Sequence, residues 1–453
     1  MSDRLVIRGG RVIDPVSGVD LVGDVVIENG RIAAVGPTGI AAEPAEVIDA
    51  AGLVVAPGFV DLHTHLRDPG FEYKETIETG TRAASRGGFT TVCAMPNTNP
   101  PADSRATIEY VLRTAASRGC VRVLPVGCVT KGRAGKELAE LADLADAGAV
   151  AFSDDGDCVA DGAVMRRALQ YASALELAVI QHAEDPALSR RAPMHEGWVA
   201  TRLGLAGQPS AAEESVVTRD IALAEELAGA GFPVRLHIAH VSVKGAVDAI
   251  ALARARGVPV TAEVTPHHLT LTHEAVAWRN GDGGLAYDTH AKVNPPLRTR
   301  DDVRACVRAL EAGGIDAIAT DHAPHASVEK DCEFDWAAFG ISGLETALGL
   351  VLTLYHDRQA GLPRLIEALT IGPVRALGLE RFVPGIGTLR PGAPGDVVVF
   401  DPDAAWVVDP EALASKGKNT PLSGRTLRGK VVVTISGGRV VHRAGAAPEV
   451  SGS

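Results

Sequence analysis

The sequence predicts an α/β protein: a (β/α)8 barrel carrying a small β-sandwich domain formed from both chain ends. Three observations lead there. Through the middle of the 453-residue chain, short apolar runs alternate with amphipathic helical patterns. The two ends share a β-rich texture that the middle lacks, and the apolar runs repeatedly stop on a histidine or an aspartate. A chain of this length exceeds the size at which one compact core stops growing, so one large barrel with an appendage, or two to three domains, is expected.

The N-terminal part reads as strands and turns: Leu5 to Ile13, then Asp24 to Val35, interrupted by Asn29-Gly30. Asn-Gly between two β-rich runs is a strong hairpin signal, because both residues tolerate positive φ. The same texture returns in Asp396 to Phe400 and Val431 to Val441. Two distant β-rich ends most simply build one domain around neighbouring termini. The expected organisation is residues 1–56 and 385–453 in the β domain and 57–384 in the barrel.

Barrel strands are expected at 59–63, 89–94, 121–126, 149–153, 178–182, 234–239, 258–263 and 315–320. Between them, Lys136 to Ala147, Glu213 to Ala230 and Asp301 to Glu311 place apolar residues at three- and four-residue spacing, the period of a helix with one buried face. Eight strand–helix alternations are the signature of the (β/α)8 barrel, whose active sites lie at the C-terminal ends of the strands.

Composition excludes several classes. A formal net charge of −12 argues against a partner bound through nucleic-acid phosphates, and there is no apolar run long enough to span a membrane. Met1 to Arg8 lack the apolar segment of a secretory signal, so a cytoplasmic location is expected. Cys93, Cys120, Cys128, Cys158, Cys306 and Cys332 form no CxxC; neither a disulfide framework nor a thiolate zinc site is suggested.

The candidate chemistry sits at the ends of the runs. His63 and His65 alternate on an extended backbone, so both imidazoles reach one side. An isolated HxH is more often two surface histidines. Here further runs end in Asp154-Asp155, His182, His240 and Asp321. Imidazoles and carboxylates together suit Zn²⁺, with Mn²⁺ or Co²⁺ also compatible. This many ligands exceeds what one tetrahedral ion with an open water position requires, which points to two metals. His240 is preferred over His237 as a ligand because it closes the run, and His267 and His268 are expected behind the ligands.

With these residues in place, the chain resembles the cyclic amidohydrolases of the amidohydrolase superfamily, and among them the longer bacterial dihydroorotases. The resemblance spans nearly the whole chain and rests on His63-Thr64-His65-Leu66-Arg67-Asp68-Pro69-Gly70, Ala94-Met95-Pro96-Asn97-Thr98, Glu263-Val264-Thr265-Pro266-His267-His268, Asn294-Pro295-Pro296-Leu297-Arg298, Thr320-Asp321-His322-Ala323-Pro324-His325, Gly343-Leu344-Glu345 and Asn419-Thr420-Pro421-Leu422. It implies a metal-dependent hydrolase barrel that interconverts N-carbamoyl-L-aspartate and L-dihydroorotate. It further implies that His63, His65 and Asp321 bind one metal and His182 and His240 a second. Arg67, Asn97 and His325 would hold the substrate carboxylate beside Asn294, and Asp321 would act as the catalytic base. A homo-oligomer and a complex with aspartate transcarbamoylase are the implied partners. Two alternatives remain open: a hydantoinase, dihydropyrimidinase or allantoinase on the same scaffold, and a silent relative serving the transcarbamoylase.

The chain departs from its relatives in two places. Many of them bridge their metals with a carboxylated lysine on strand 4, but no lysine occurs here between Lys136 and Lys244. An aspartate must take that role, and the resemblance favours Asp155 over Asp154. Residues 323–342 are expected to form a loop over the substrate, and Ala337-Ala338-Phe339-Gly340 lacks a proline that similar enzymes place before the Phe.

Overall fold

The computed structural model describes residues 4–40, 45–279 and 285–445. Residues 1–3, 41–44 and 446–453 of the expected end domain, and 280–284 of the expected barrel, lie outside the described residues.

All eight expected barrel strands form a parallel sheet, in the order Phe59–Thr64, Phe89–Ala94, Arg122–Gly127, Ala151–Ser153, Ala178–Gln181, Leu236–Ile238, Val260–Val264 and Ala317–Ile318. The ring nearly closes: Thr64 makes a parallel bridge to His322, while Asp61 accepts from the Thr320 amide at 3.0 Å and the Thr320 hydroxyl at 2.6 Å. Val60, Leu62, Cys93, Val126, Ala151 and Ile180 pack together with Ile371, Val374 and Leu377 of the helix Ile371–Leu377, so the barrel interior is a packed core.

The strands from both chain ends make a second, eight-stranded sheet. They meet where Val54–Pro57 pairs antiparallel with Val397–Phe400. Ile7, Val25 and Ile32 from the N-terminal strands share one core with Val397, Val399, Val433 and Ile435, so both ends build one β domain, on a single sheet in place of the expected two-sheet sandwich. Asn29 and Gly30 adopt φ of 52° and 74° in the hairpin, as an Asn-Gly turn requires. Phe59 of the first barrel strand lies 5.6 Å, edge to face, from Phe89 and 6.2 Å from Phe400 of the end sheet. This aromatic contact joins the barrel to the sheet, and truncating Phe59 to Ala is expected to cost about 3–5 kcal/mol.

The helices largely follow the periodicity. Arg300–Glu311 starts on Thr299, whose side chain accepts from the Asp302 amide while Asp302 reaches back to Thr299. This reciprocal cap satisfies two otherwise orphaned donors. Ala211–Gly229 matches the second expected helix. The first is shorter than expected: it begins at Leu141, not Lys136. Upstream, the Lys131 amide donates to Glu137 O and the Ala139 amide to Val129 O, each at 2.9 Å. Backbone groups that a helix would use are therefore spent on the loop after the third strand.

Candidate metal centre and active site

The expected ligands gather at one mouth of the barrel because each lies at or just past the C-terminal end of a strand. His63 and His65 close the first, Asp155 stands two residues past Ser153, His182 follows Gln181, His240 lies two past Ile238, and Asp321 lies three past Ile318. All six are buried. His240, Asp321 and the nearby Arg67 hold φ of 34°, 46° and 62°, a left-handed region that costs a non-glycine residue about 1–3 kcal/mol. Chain turns that no strand or helix favours thus aim three of the site's side chains.

Asp155 lies between two histidine pairs. Its Oδ2 is 3.2 Å from His63 Nε2 and 3.4 Å from His65 Nε2; its Oδ1 is 3.4 Å from both His182 Nδ1 and His240 Nε2. Asp321 Oδ1 stands on the first side, 3.1 Å from His65 Nε2 and 3.6 Å from His63 Nε2. Asp154 turns the other way and accepts from the Val129 and Thr130 amides, both at 2.9 Å, and from the Thr130 hydroxyl.

The atoms fit a bound cation. His63 Nε2 and Asp155 Oδ1 are buried without a hydrogen-bond partner, and unsatisfied buried polar atoms are costly. His182 Nδ1 and His240 Nε2 face each other at 2.9 Å, which two lone pairs tolerate only with a proton or metal between them. Burial opposes charge on His63, but Asp155, Glu263 and Asp321 outweigh it and raise the ring well above the usual imidazole value. Burial likewise opposes charge on Asp155, and His63, His182 and His240 hold it well below the carboxylate range. His63, His65 and Asp155 form one group able to hold a metal, and Asp155, His182 and His240 another.

Outer partners orient three of the rings. Glu263 Oε1 lies 2.7 Å from His63 Nδ1, Glu184 Oε2 3.0 Å from His182 Nε2, and Asn97 Oδ1 2.8 Å from His65 Nδ1. Each bond leaves the opposite nitrogen for the centre, as carboxylate–histidine–metal arrangements require. Sequence reasoning missed both glutamates. Glu263 had a signal, a carboxylate inside an apolar strand, while Glu184 merely follows His182 by two residues. His237 stays in the strand, bonded to Glu263 Oε2 at 3.2 Å and Thr261 Oγ1 at 2.8 Å. His268 bonds Pro295 O at 3.0 Å, and His267 is buried beside it.

The ligands line a cavity of about 320 Å³ together with Arg67, Asn97, Asn294 and His325. Arg67 is buried, and burial pushes its pKa down to about 10, against Asp321 and Glu329, so it stays charged near neutrality. Its contacts are Pro324 O and His325 Nε2, each at 3.3 Å; among the described residues no carboxylate pairs with it. A buried, unpaired guanidinium facing a cavity calls for an anionic ligand. Asn294 lines the cavity and also donates to Glu184 Oε2 at 2.6 Å, so it supports His182 from behind. A larger cavity of about 740 Å³ lies between the helix Ile77–Arg86 and the end sheet, and none of these ligands reaches it.

The pattern of the Dihydro-orotase-like family matches residues 52–246. A dihydroorotase of Anaeromyxobacter sp. (strain K) is 55% identical over 447 residues, covering 99% of this chain and 100% of that protein. One of Pelotomaculum thermopropionicum is 52% identical over 439 residues, covering 97% and 98%. Among solved structures, the L-hydantoinase (dihydropyrimidinase) from Arthrobacter aurescens superposes with a TM-score of 0.84 at 26% identity, covering 99% of this chain and 98% of that one.

Proposed function

The chain belongs to the dihydroorotase family of cyclic amidohydrolases, and from that membership we propose how its residues carry out the reversible cyclisation of N-carbamoyl-L-aspartate to L-dihydroorotate in pyrimidine biosynthesis. Its activity is that of a dihydroorotase, an enzyme acting on a small molecule.

His63, His65 and Asp321 would hold one divalent ion and His182 with His240 a second, with Asp155 offering an oxygen to each. The mixed imidazole and carboxylate set suits zinc, one or two per subunit, and also accommodates manganese or cobalt. Such ions, when bound, lower the pKa of a water molecule towards neutrality and polarise the ring carbonyl. Arg67 offers a planar fork to the substrate carboxylate, and Asn97 and His325 add contacts that fix its orientation. With the ring so held, Asp321 accepts the proton of the attacking water and delivers it to the leaving amide nitrogen. In the biosynthetic direction the same carboxylate works in reverse.

The observation that carries this reading is the division of Asp155, one oxygen to each histidine pair, beside the unpaired Arg67. A hydantoin-type ring lacks the carboxylate that Arg67 would meet. Metal analysis combined with an assay of dihydroorotate ring opening tests the reading; a metal-free protein with full turnover would refute it. A homo-oligomer, a complex with aspartate transcarbamoylase and a cytoplasmic location complete the proposal. The exposed Trp198, Val328 and Trp336 are apolar groups suited to protein contacts. Among the described residues no helix is long and apolar enough to cross a membrane.

A further inference from the structure

Two lysines outside the metal centre are buried without any carboxylate partner among the described residues. Lys330 and Lys292 are 1% and 2% exposed. Lys330 Nζ donates to Thr289 O and Lys292 O, each at 3.1 Å, and to Ala338 O at 2.6 Å. Lys292 Nζ donates to Phe334 O at 2.8 Å and Asp335 O at 3.0 Å, and stands 4.4 Å from the centre of the Phe339 ring. Each ammonium thus ties residues 289–292, which lead to Asn294, to residues 334–339 of the segment over the cavity. Burial lowers the pKa of both amines, that of Lys330 to about 7 with Lys292 adding to the effect, so holding them against these carbonyls is costly and what it secures is geometric definition.

What the two lysines define is the wall of the substrate cavity. His325, Phe339 and Gly340 line it, His325 Nε2 lies 2.8 Å from Phe339 O, and the Gly340 amide donates to Lys292 O at 2.9 Å. Gly340 has φ of 145°, and a Cβ there would come within 2.6 Å of Ala323 O and 3.1 Å of His325 Cδ2, so the two limbs of the segment touch. Asn419 secures the base: its side chain accepts from the His325 amide at 2.9 Å and donates to Ala323 O and Gly340 O, both at 3.0 Å.

We propose that Lys330 and Lys292 are positioning residues that hold the 323–342 segment closed, so that His325 meets the substrate carboxylate in one orientation. The inference rests on the reading of Arg67 and His325 as the carboxylate's partners. When the closed form is only partly populated, apparent affinity falls by that fraction while chemistry in the closed complex is unchanged. The signature is therefore a rise in KM with little change in kcat.

The test uses metal-loaded Lys330→Met, Lys330→Gln and Lys292→Met, with steady-state kinetics on dihydroorotate and hydrogen exchange at the Ala338 and Gly340 amides. Lys330→Met is expected to raise KM about tenfold with kcat within about threefold, and to lose protection at those amides but not in the barrel strands. Lys330→Gln, which keeps two donors, should fall between it and the wild type. If Lys330→Met does not fold, Lys292→Met carries the same test, since it leaves only the Phe334 and Asp335 carbonyls unpaired. Unchanged KM in the soluble variants, or lost protection with unchanged KM, overturns the inference. His325→Ala with wild-type KM would instead overturn the carboxylate reading, and the exchange data would still report on the clamp.

Discussion

Glu263 and His63, 200 residues apart in sequence, meet at 2.7 Å inside the barrel, Oε1 to Nδ1. Burial alone would push the Glu263 carboxyl up, but His237 and His63 hold it down to about 2, so it is ionised and can only accept. His63 must therefore carry its proton on Nδ1, which turns Nε2 towards Asp155 and Asp321. One buried carboxylate thus sets the tautomer of a ligand it is not itself expected to be.

Glu263→Gln tests that relation. The amide can still bond Nδ1 but no longer favours the Nδ1–H tautomer electrostatically. Metal affinity, measured by competition with a chelator, should fall about 10- to 100-fold. An unchanged affinity would mean that packing alone orients His63.

Asp321→Asn should retain much of the metal, because His63, His65 and Asp155 remain. It removes the proton acceptor, and turnover on dihydroorotate should drop by about 10²–10⁴. Near-wild-type turnover would assign the base elsewhere.

Arg67→Met should lower kcat/KM on dihydroorotate by roughly 30-fold or more, the loss of one partner from a buried charge pair. Its effect on dihydrouracil, which lacks the acid, should be small. Equal losses on both substrates would make Arg67 a structural support.

Asp155→Ala and Asp154→Ala should separate cleanly. The first removes the oxygens that face both histidine pairs and should abolish most metal binding and turnover. The second removes the acceptor for the Val129 and Thr130 amides and should lower thermal stability while leaving more of the metal in place. Reconstitution should also proceed equally well with and without bicarbonate, since no lysine is available to be carboxylated. The reverse order of the two variants would falsify the assignment of Asp155.

Asn419→Ala leaves several buried groups at the base of the 323–342 segment unpaired, each costing about 1–3 kcal/mol. Calorimetry should show a drop in Tm of several degrees, at about 2–4 °C per kcal/mol or less for a chain of this size. A Tm equal to that of the wild type would show that water replaces the side chain without loss.

The sequence by itself determined the barrel and the approximate place of its ligands. Apolar runs of strand length, spaced by helical periods, admit few other folds, and a polar residue that closes such a run is carried to the mouth. It also ruled out a carboxylated lysine, an argument from residues that are simply not there. Only the tertiary structure decided which partner each imidazole has, that Asn294 supports His182 through Glu184, and that the helix expected from Lys136 begins at Leu141. It also placed two buried ammonium groups on the segment that lacks a proline before Phe339. The reason is range. Periodicity reports which face of an element is buried, a local property, whereas each of these outcomes depends on hydrogen bonds whose two ends become neighbours only when the barrel closes, or on loop backbone pairing that has no period.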